Sequence, residues 1–467
     1  MTGDVVIIVP GVLGSDLVDN DTGKQIWGFP PKLLVKALMS DNGLQPLRLT
    51  CAEHNGDYRR VSATGLLRRP AWLPRLMGFE DYQGLLRAVG QVADRDAVHP
   101  FPYDWRLPVA YNGARLAESA RRWLVARRTR QAHERGGPPA RLVLVAHSMG
   151  GLVARAALAY APDLVQDTRV VITLGTPFYG AVKAAVVLNG NRSGAHQLGI
   201  WDRVAALAAT LPGIHDLLPI YSCVDRGSSI ERLTPGDVTD LGGNRELAEQ
   251  SLGFQARMLR DRPLAPLRHW PVVGFAQPTM QSMRLADGVV HGQNFGFQAD
   301  DDGEVVTGAD DRPEPIDRGG DGTVYRESAF LPGVEVSYRS VQHGAMPGNN
   351  DVLDQVRAIL DERRRGPLMG DGEVGLDVPD VVSAGDSWVF RVTGVDGPNG
   401  VRCAVQDTET GRRVQAPRVE NGNGGVLARV TVPGPGLYRV QVMPRAGISP
   451  VTQLVLAVDP ADDGGDA

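Results

Sequence analysis

The chain has few cysteines, no excess of basic residues and no long apolar run. Its 467 residues include three cysteines, Cys51, Cys223 and Cys403, which are far apart in the sequence and cannot all pair. A disulfide framework is therefore not expected. Lys and Arg total 49 against 54 Asp and Glu, so the charge gives no reason to expect nucleic-acid binding. No apolar run reaches the ~18–20 residues that a membrane-spanning helix needs.

The start of the sequence lacks the features of an export signal. Met1–Asp4 leads directly into the apolar segment Val5–Val9, without a basic region and an apolar core before it. Together with the low cysteine content, this predicts a cytoplasmic protein, and peripheral contact with a membrane surface stays open.

The most informative stretch surrounds Ser148. An apolar run, Leu142–Ala146, ends at a His-Ser-Met-Gly turn, and the helix-compatible segment Leu152–Tyr160 follows. Strand, sharp turn and helix are the context of the Gly-x-Ser-x-Gly nucleophile elbow, here with Ala146 in place of the first glycine. The pattern predicts Ser148 as a nucleophile and the backbone N–H of Met149 as an oxyanion donor. The alternative is a buried serine in an ordinary turn.

Apolar runs before and after this stretch indicate a mostly parallel sheet. Val5–Val9 ends in a glycine-rich loop, where this fold class places a second oxyanion donor, and the backbone N–H of Val12 is the candidate. Further runs at Arg169–Leu174, Trp270–Ala276 and Val334–Ser340 alternate with helical patterns. We therefore predict an α/β fold of the hydrolase type.

A serine nucleophile needs a base and a carboxylate that orients the base. In this fold class the chain order is serine, acid, histidine. His343 is the one histidine after Ser148 that sits between a core strand and a helix, and Asp321 lies in a glycine-flanked loop before it. We predict Asp321 and His343 as the partners of Ser148, with Asp317 as the reserve acid. Taken alone, His343 is better explained as a surface loop histidine, and it is the ordered set of three residues that favours the catalytic role.

Two segments, 41–78 and 181–268, are predicted to be lids over the site. The first contains Trp72 among arginines, which suits either a membrane headgroup region or a lid that packs its apolar side inward. Trp27, Trp72 and Phe178 are the candidates for contact with substrate or membrane. The acidic clusters at 300–302 and 310–311 lack the calcium-loop pattern, so we predict no metal site. No cofactor motif was identified.

The composition changes after residue 362. We expect residues 1–366 to form the hydrolase, 367–460 a small immunoglobulin-like β-sandwich of short strands separated by Gly, Pro and Asn, and 461–467 a polar tail. The sandwich has no catalytic-looking cluster. It is expected to bind a protein partner, a glycan or a membrane, or to cover the hydrolase surface.

Seven pieces of the chain resemble the lecithin:cholesterol acyltransferase family of α/β-hydrolases, in that family's order. They are Val9–Gly14, Pro102–Arg106, His147–Gly151, Thr176–Gly180, Leu217–Pro219, Gly320–Val324 and His343. The resemblance implies Ser148, Asp321 and His343 as the triad, Val12 and Met149 as oxyanion donors, and a lipid-like acyl ester as substrate. Cys51 has no partner for the lid disulfide of secreted members.

These observations predict a serine-dependent lipid acyl hydrolase or acyltransferase that cleaves a carboxylic ester, in particular that of a glycerophospholipid. Two alternatives stay open. One is an esterase for a non-lipid small-molecule ester, selected by the lids. The other is a catalytically inactive α/β scaffold that binds a partner, against which the intact serine, acid and histidine argue.

Overall fold

The computed structural model describes residues 2–40, 42–73, 77–133, 138–190, 199–264, 267–298, 305–306, 313–362, 374–444 and 449–459, with backbone alone at 73 and 77–79. Three predicted features lie outside these ranges. They are the domain boundary at 366/367, the tail at 461–467 and the acidic clusters at 300–302 and 310–311.

A parallel six-stranded sheet forms the centre of the molecule. Its spatial order is Ser337–Arg339, His269–Gly274, Thr168–Leu174, Leu142–His147, Val5–Val9 and Val98–Pro100. Val5–Val9 and Leu142–His147 are completely buried, as expected for strands covered by helices on both faces. The predicted α/β-hydrolase fold is confirmed, and the predicted strands differ from the observed ones only at their ends.

Helices cover this sheet. The longest, Val109–His133, packs against Met149–Tyr160, and a Cβ at Gly113 would lie 2.6 Å from the Cβ of Ala156, so glycine permits the close crossing. The other α-helices are Pro31–Met39, Cys51–His54, Gln83–Gly90, Asp163–Asp167, Val182–Asn189, Ile200–Ala208, Pro212–His215, Pro235–Asp240, Arg245–Asp261 and Asn350–Leu360. Short 3₁₀ turns are Gln45–Leu47, Arg95–Ala97, Arg326–Ser328, His343–Gly348 and Pro398–Gly400.

The two segments predicted as lids are built into small sheets, antiparallel for the first segment and mixed for the second. Val61–Leu66 pairs with Ser15–Asp19, which also pairs with Gln25–Trp27. Buried Arg106 fixes this region through ion pairs with Glu53 and Asp104. The second segment contributes two strands to a four-stranded sheet. The strands of that sheet are Ser222–Asp225, Ile230–Arg232, Ser282–Ala286 and Val289–Gln293. Two further sheets have two strands each: Gly296–Phe297 pairs with Pro315–Ile316, and Ala71–Leu73 pairs with Met77–Phe79.

The predicted β-sandwich is present from residue 374 onward. One sheet has four strands, Gly375–Asp377, Ser387–Thr393, Gly425–Thr431 and Val419–Gly422. The other has five, Val381–Ser383, Val451–Val458, Gly436–Pro444, Val401–Asp407 and Arg413–Gln415. The short strands at 381, 413 and 419 were not predicted. They are three or four residues long and carry too little alternation to be recognised in the sequence.

The sandwich packs directly on the hydrolase. Its side chains Leu437, Leu454 and Leu456 belong to the same apolar core as the central sheet. Arg439 forms an ion pair with Glu80 of the hydrolase. The Gln342 side-chain nitrogen lies 2.9 Å from the Leu376 carbonyl oxygen and 3.2 Å from Oε1 of Gln453. The residue next to His343 is thus bonded to the sandwich.

None of the helices in the described ranges combines the length and apolar character needed to cross a membrane.

Candidate active site

Ser148 occupies a strained turn between strand and helix. Its φ of 53° and ψ of −128° place a non-glycine residue in a region that costs energy, as in a nucleophile elbow. Its N–H donates to the Leu174 carbonyl oxygen at 2.9 Å. The helix begins close to the loop after the first strand, because a Cβ at Gly150 would lie 2.4 Å from the Pro10 carbonyl oxygen. Glycine at 150 is therefore required for this approach.

Three residues predicted from the sequence meet at this turn. Nε2 of His343 lies 2.8 Å from Oγ of Ser148, and Nδ1 lies 2.6 Å from Oδ2 of Asp321. The other carboxylate oxygen of Asp321 accepts the N–H groups of Thr323 and Val324 at 3.0 and 2.7 Å. All three functional side chains are buried, with Ser148 only 2% exposed. The arrangement can move a proton from the hydroxyl to the imidazole.

The reserve acid does not take part in this arrangement. Asp317 is exposed, and its Oδ1 accepts hydrogen bonds from Nε2 of Gln281 and from the N–H of Gly319. The structure therefore brings Asp321, and not Asp317, to His343. Neighbouring parallel strands end at the same sheet edge, which is why these distant loops converge.

Gly175 makes room for the acid–histidine pair. It follows the strand Thr168–Leu174 and has a φ of 57°, which favours glycine. A Cβ at this position would lie 2.9 Å from Oδ2 of Asp321 and 3.0 Å from Nδ1 of His343. Both the backbone conformation and the close approach therefore require glycine.

Of the predicted oxyanion donors, Met149 adjoins Ser148 in the chain, and Val12 follows the strand next to the one that leads into Ser148. Met149 is the first residue of its helix, so its N–H has no acceptor within the helix. In the described ranges no backbone oxygen pairs with the N–H of Val12, whereas the neighbouring Gly11 N–H donates to Oη of Tyr82 at 2.8 Å. The Val12 and Met149 N–H groups are thus available to a developing oxyanion, and their role stays a prediction.

A buried pair that the sequence did not indicate connects two loops of the site. Oη of Tyr82 lies 2.8 Å from Nδ1 of His147, and Nε2 of His147 lies 3.1 Å from the His343 carbonyl oxygen. A carbonyl oxygen only accepts, which assigns the proton to Nε2 and leaves Nδ1 to accept from Tyr82. The Tyr82 oxygen in turn accepts the Gly11 N–H. The pair links the loop of Val12 to the loop of His343.

Burial keeps both members of this pair neutral. It holds the pKa of His147 well below its ordinary value, and the neighbouring His343 adds to this effect. Burial likewise raises the pKa of the Tyr82 hydroxyl. No motif in the sequence joins Tyr82 to His147, unlike the serine, acid and histidine, whose order along the chain is typical of the fold class.

Replacing Tyr82 by phenylalanine should destabilise the protein and slow turnover. The change removes the buried hydroxyl that accepts from the Gly11 N–H and donates to Nδ1 of His147, and the loss of a buried hydrogen bond of this kind costs about 1–3 kcal/mol in the free energy of unfolding. Urea unfolding and ester kinetics measure the two effects. Tyr160→Phe is the matched control, since Tyr160 is 58% exposed. Equal stability and kcat for the two variants would contradict the positioning role of Tyr82.

The three candidates for substrate or membrane contact are buried. Trp27 is 1% exposed, donates its indole N–H to the Leu13 carbonyl oxygen and packs edge-on against Trp105. Trp72 is 1% exposed, and Phe178 is fully buried beside Arg155. All three belong to the apolar core, so their burial argues against the predicted contact.

Around Trp72 the structure agrees with the inward-packing interpretation of this segment. The side chains of Leu66, Leu67 and Trp72 are buried, whereas Arg68 and Arg69 are exposed. The apolar side chains thus face the protein and the arginines face solvent. A pattern of apolar and basic residues is the same for a lid packed on its own protein as for a membrane-binding segment, which is why the sequence left both interpretations open.

Comparison with known proteins gives one family match and several similar structures. Residues 109–188 match the model of the PGAP1-like alpha/beta domain. A chain of the Tle4–Tli4 complex is 14% identical, covering 76% of this chain and 96% of that one, with a TM-score of 0.44. Bacillus licheniformis lipase BlEst2 in its mature form is 15% identical, covering 76% and 91%, with a TM-score of 0.32. Legionella pneumophila phospholipase PlaB is 10% identical, covering 97% and 92%, with a TM-score of 0.26.

No curated protein sequence matches the chain. At these identities and TM-scores the similar structures assign no activity to it. The family match spans the helix before the elbow, the elbow itself and the next strand, which is the part of the fold that carries Ser148. The finer resemblance to the lecithin:cholesterol acyltransferase family stays a prediction. What the comparisons support is an α/β domain similar to the PGAP1-like family, within an α/β-hydrolase fold.

Proposed function

We propose that this chain is a serine-dependent lipid acyl hydrolase or acyltransferase that cleaves a carboxylic ester. The observation that carries the proposal is the hydrogen-bonded series from Ser148 through His343 to Asp321, with distances of 2.8 and 2.6 Å. Hydroxyl, imidazole and carboxylate in this order are the groups that activate a serine nucleophile.

The reaction follows from these contacts. Nε2 of His343 takes the proton of Ser148 as its oxygen bonds to the ester carbonyl carbon. The oxyanion accepts hydrogen bonds from the N–H groups of Val12 and Met149, each worth about 2.7–4 kcal/mol of barrier lowering. The imidazolium, stabilised by Asp321, gives its proton to the departing alkoxide as the carbon–oxygen bond breaks. Water or an acceptor alcohol then takes the acyl group from Ser148 by the same steps in reverse.

A lipid ester is the substrate class that the surroundings of Ser148 favour. The hydroxyl faces a cavity lined mostly by apolar side chains, which suits a hydrocarbon chain. We propose a glycerophospholipid as the substrate, with the enzyme acting at a membrane surface. The division into a hydrolase up to residue 366 and a sandwich from residue 367 is likewise kept as a proposal.

One observation favours a smaller ester as the second candidate. The cavity beside Ser148 measures about 20 Å³, which is less than a long acyl chain occupies. A short-chain or non-lipid ester would fit with less rearrangement. Comparing kcat/KM for esters of the same alcohol with acyl chains of increasing length separates the two candidates.

The proposal is tested by labelling with a fluorophosphonate, which reacts with activated serines. We expect one equivalent of label on the peptide that contains Ser148, and loss of all esterase activity in proportion to labelling. Product analysis from one defined phospholipid, with and without an added alcohol, then distinguishes water from an alcohol as acceptor. A protein that stays unlabelled, and that turns over no ester, would instead support the inactive binding scaffold.

A further inference from the structure

Two cavities of different polarity each have one of the catalytic residues in their lining. The apolar cavity, about 20 Å³, contains Ser148 and is lined by Pro177, Ala181, Ala184, Ile214, Leu217 and Val324. The polar cleft, about 40 Å³, contains His343 and lies between the hydrolase and the sandwich. Its sandwich wall consists of Asp380, Thr452, Gln453 and Leu454. Lys183 and Thr323 border both spaces.

The proton transfers of the proposed reaction determine which part of the substrate lies in each of the two cavities. His343 must protonate the leaving oxygen, so the alcohol part of the ester has to lie on the side of its imidazole. Of the two spaces, only the polar cleft has His343 in its lining, so we place the alcohol part there. The acyl part then lies on the side of the apolar cavity.

We infer that the polar cleft is the leaving-group site of this enzyme and that the sandwich forms one of its walls. The inference rests on the proposed function and extends it to the alcohol part of the substrate. It also gives the sandwich a direct role at the active site. Binding of a protein or glycan by the sandwich stays a separate prediction.

The charge of Lys183 indicates that this site would bind an anionic group of the substrate. Its ammonium group lies 3.5 Å from the Gly322 carbonyl oxygen, and no carboxylate of the described residues lies within ion-pair distance of it. Glu80 also lines the cleft, but it is paired with Arg439. A half-buried cation at the border between the two cavities suits the phosphate of a phosphodiester attached to the leaving alcohol.

The cleft continues outward far enough for a substituted alcohol. An outer groove of about 390 Å³ shares the lining residues Glu80, Ala345 and Thr452 with the inner cleft. Asp380 gives the sandwich wall of the inner cleft a negative charge, which suits a cationic substituent on the phosphate. The leaving alcohol assigned by these contacts is therefore a glycerol phosphodiester with a zwitterionic headgroup.

The first test compares phosphatidylcholine with diacylglycerol of the same acyl chains, both in mixed micelles with a neutral detergent. Lys183→Ala should lower the ratio of kcat/KM values, phosphatidylcholine over diacylglycerol, by about tenfold or more, because it removes a charge-assisted contact to the phosphate. Lys183→Arg should retain most of the ratio. Lys24→Ala, at an exposed lysine, is the matched control and should leave it unchanged. A ratio within twofold of the wild-type value in Lys183→Ala overturns the phosphate assignment.

The second test concerns the sandwich wall. Thr452→Trp narrows the cleft, so the kcat/KM ratio of phosphatidylcholine to the methyl ester of the same fatty acid should fall by about tenfold or more. Thr431→Trp places the same side chain on an exposed site of the same sandwich. Equal ratios in both variants would remove the sandwich from the leaving-group site.

Ser148→Ala separates failure of this inference from failure of the proposed function. If that variant retains esterase activity, the proposed function is wrong. If it is inactive while Lys183→Ala and Thr452→Trp keep the wild-type ratios, the function stands and the leaving-group site is wrong.

Discussion

Replacing Ser148 by alanine should lower kcat for any ester substrate by about 10⁴-fold or more. The change removes the oxygen that lies 2.8 Å from Nε2 of His343 and that forms the bond to the acyl carbon. Oxyanion donors and binding contacts remain, so a small rate above the uncatalysed reaction is expected. Steady-state kinetics with one chromogenic ester and one phospholipid measure the effect.

The folded structure should survive this substitution. Alanine meets the same backbone strain at a φ of 53° as serine does, so the midpoint of thermal unfolding should change little. Ser228→Ala, at an exposed serine, is the matched control and should retain full activity. Substantial turnover by the Ser148 variant, after contaminating esterases are excluded by repeated purification, would assign the nucleophile elsewhere.

Replacing Asp321 by asparagine should lower kcat by about 10⁴-fold while preserving the shape of the site. The Asp321 carboxylate accepts the proton on Nδ1 of His343, which leaves Nε2 free to take the serine proton. An asparagine amide can donate to Nδ1 instead, and the imidazole then carries its proton on Nε2, where it cannot act as a base. The loss should therefore fall on kcat and leave KM nearly unchanged.

Asp317→Asn provides the control for this experiment. Asp317 is four positions away, has the same side chain and lies in the same loop region, but it is bonded to Gln281 and Gly319. Its replacement should cost less than about tenfold in kcat, because it does not contact His343. A reversed order of the two variants would show that Asp317 is the acid that orients His343.

The features that could be predicted from the sequence are those that depend on short segments of chain. The elbow at Ser148 needs an apolar strand, a sharp turn with small residues two positions before and after the serine, and a helix in succession, and all three are visible within about twenty residues. Asp321 and His343 could be chosen because chain order and strand ends restrict where an acid and a base can lie. These restrictions come from the topology of the parallel sheet.

Features that depend on contacts between distant segments were not visible. The Tyr82–His147 pair and the position of Lys183 between two cavities arise only when helices and loops pack together. The burial of Glu53 in the first lid segment could not be predicted from the sequence either. The charge pattern of that segment looks like that of a solvated surface, yet Glu53 is buried because Arg106 neutralises it.

The bonds between Gln342 and the sandwich restrict how this chain can change over evolutionary time. Besides Oε1 of Gln277 in the hydrolase, the side chain next to His343 has acceptors at positions 376 and 453, which belong to a part of the chain that could otherwise be exchanged as a module. A recombination event that joined this hydrolase to a foreign C-terminal domain would remove those acceptors and loosen the histidine loop. The two parts are therefore expected to be inherited together, with changes at position 342 matched by changes in the strands that face it.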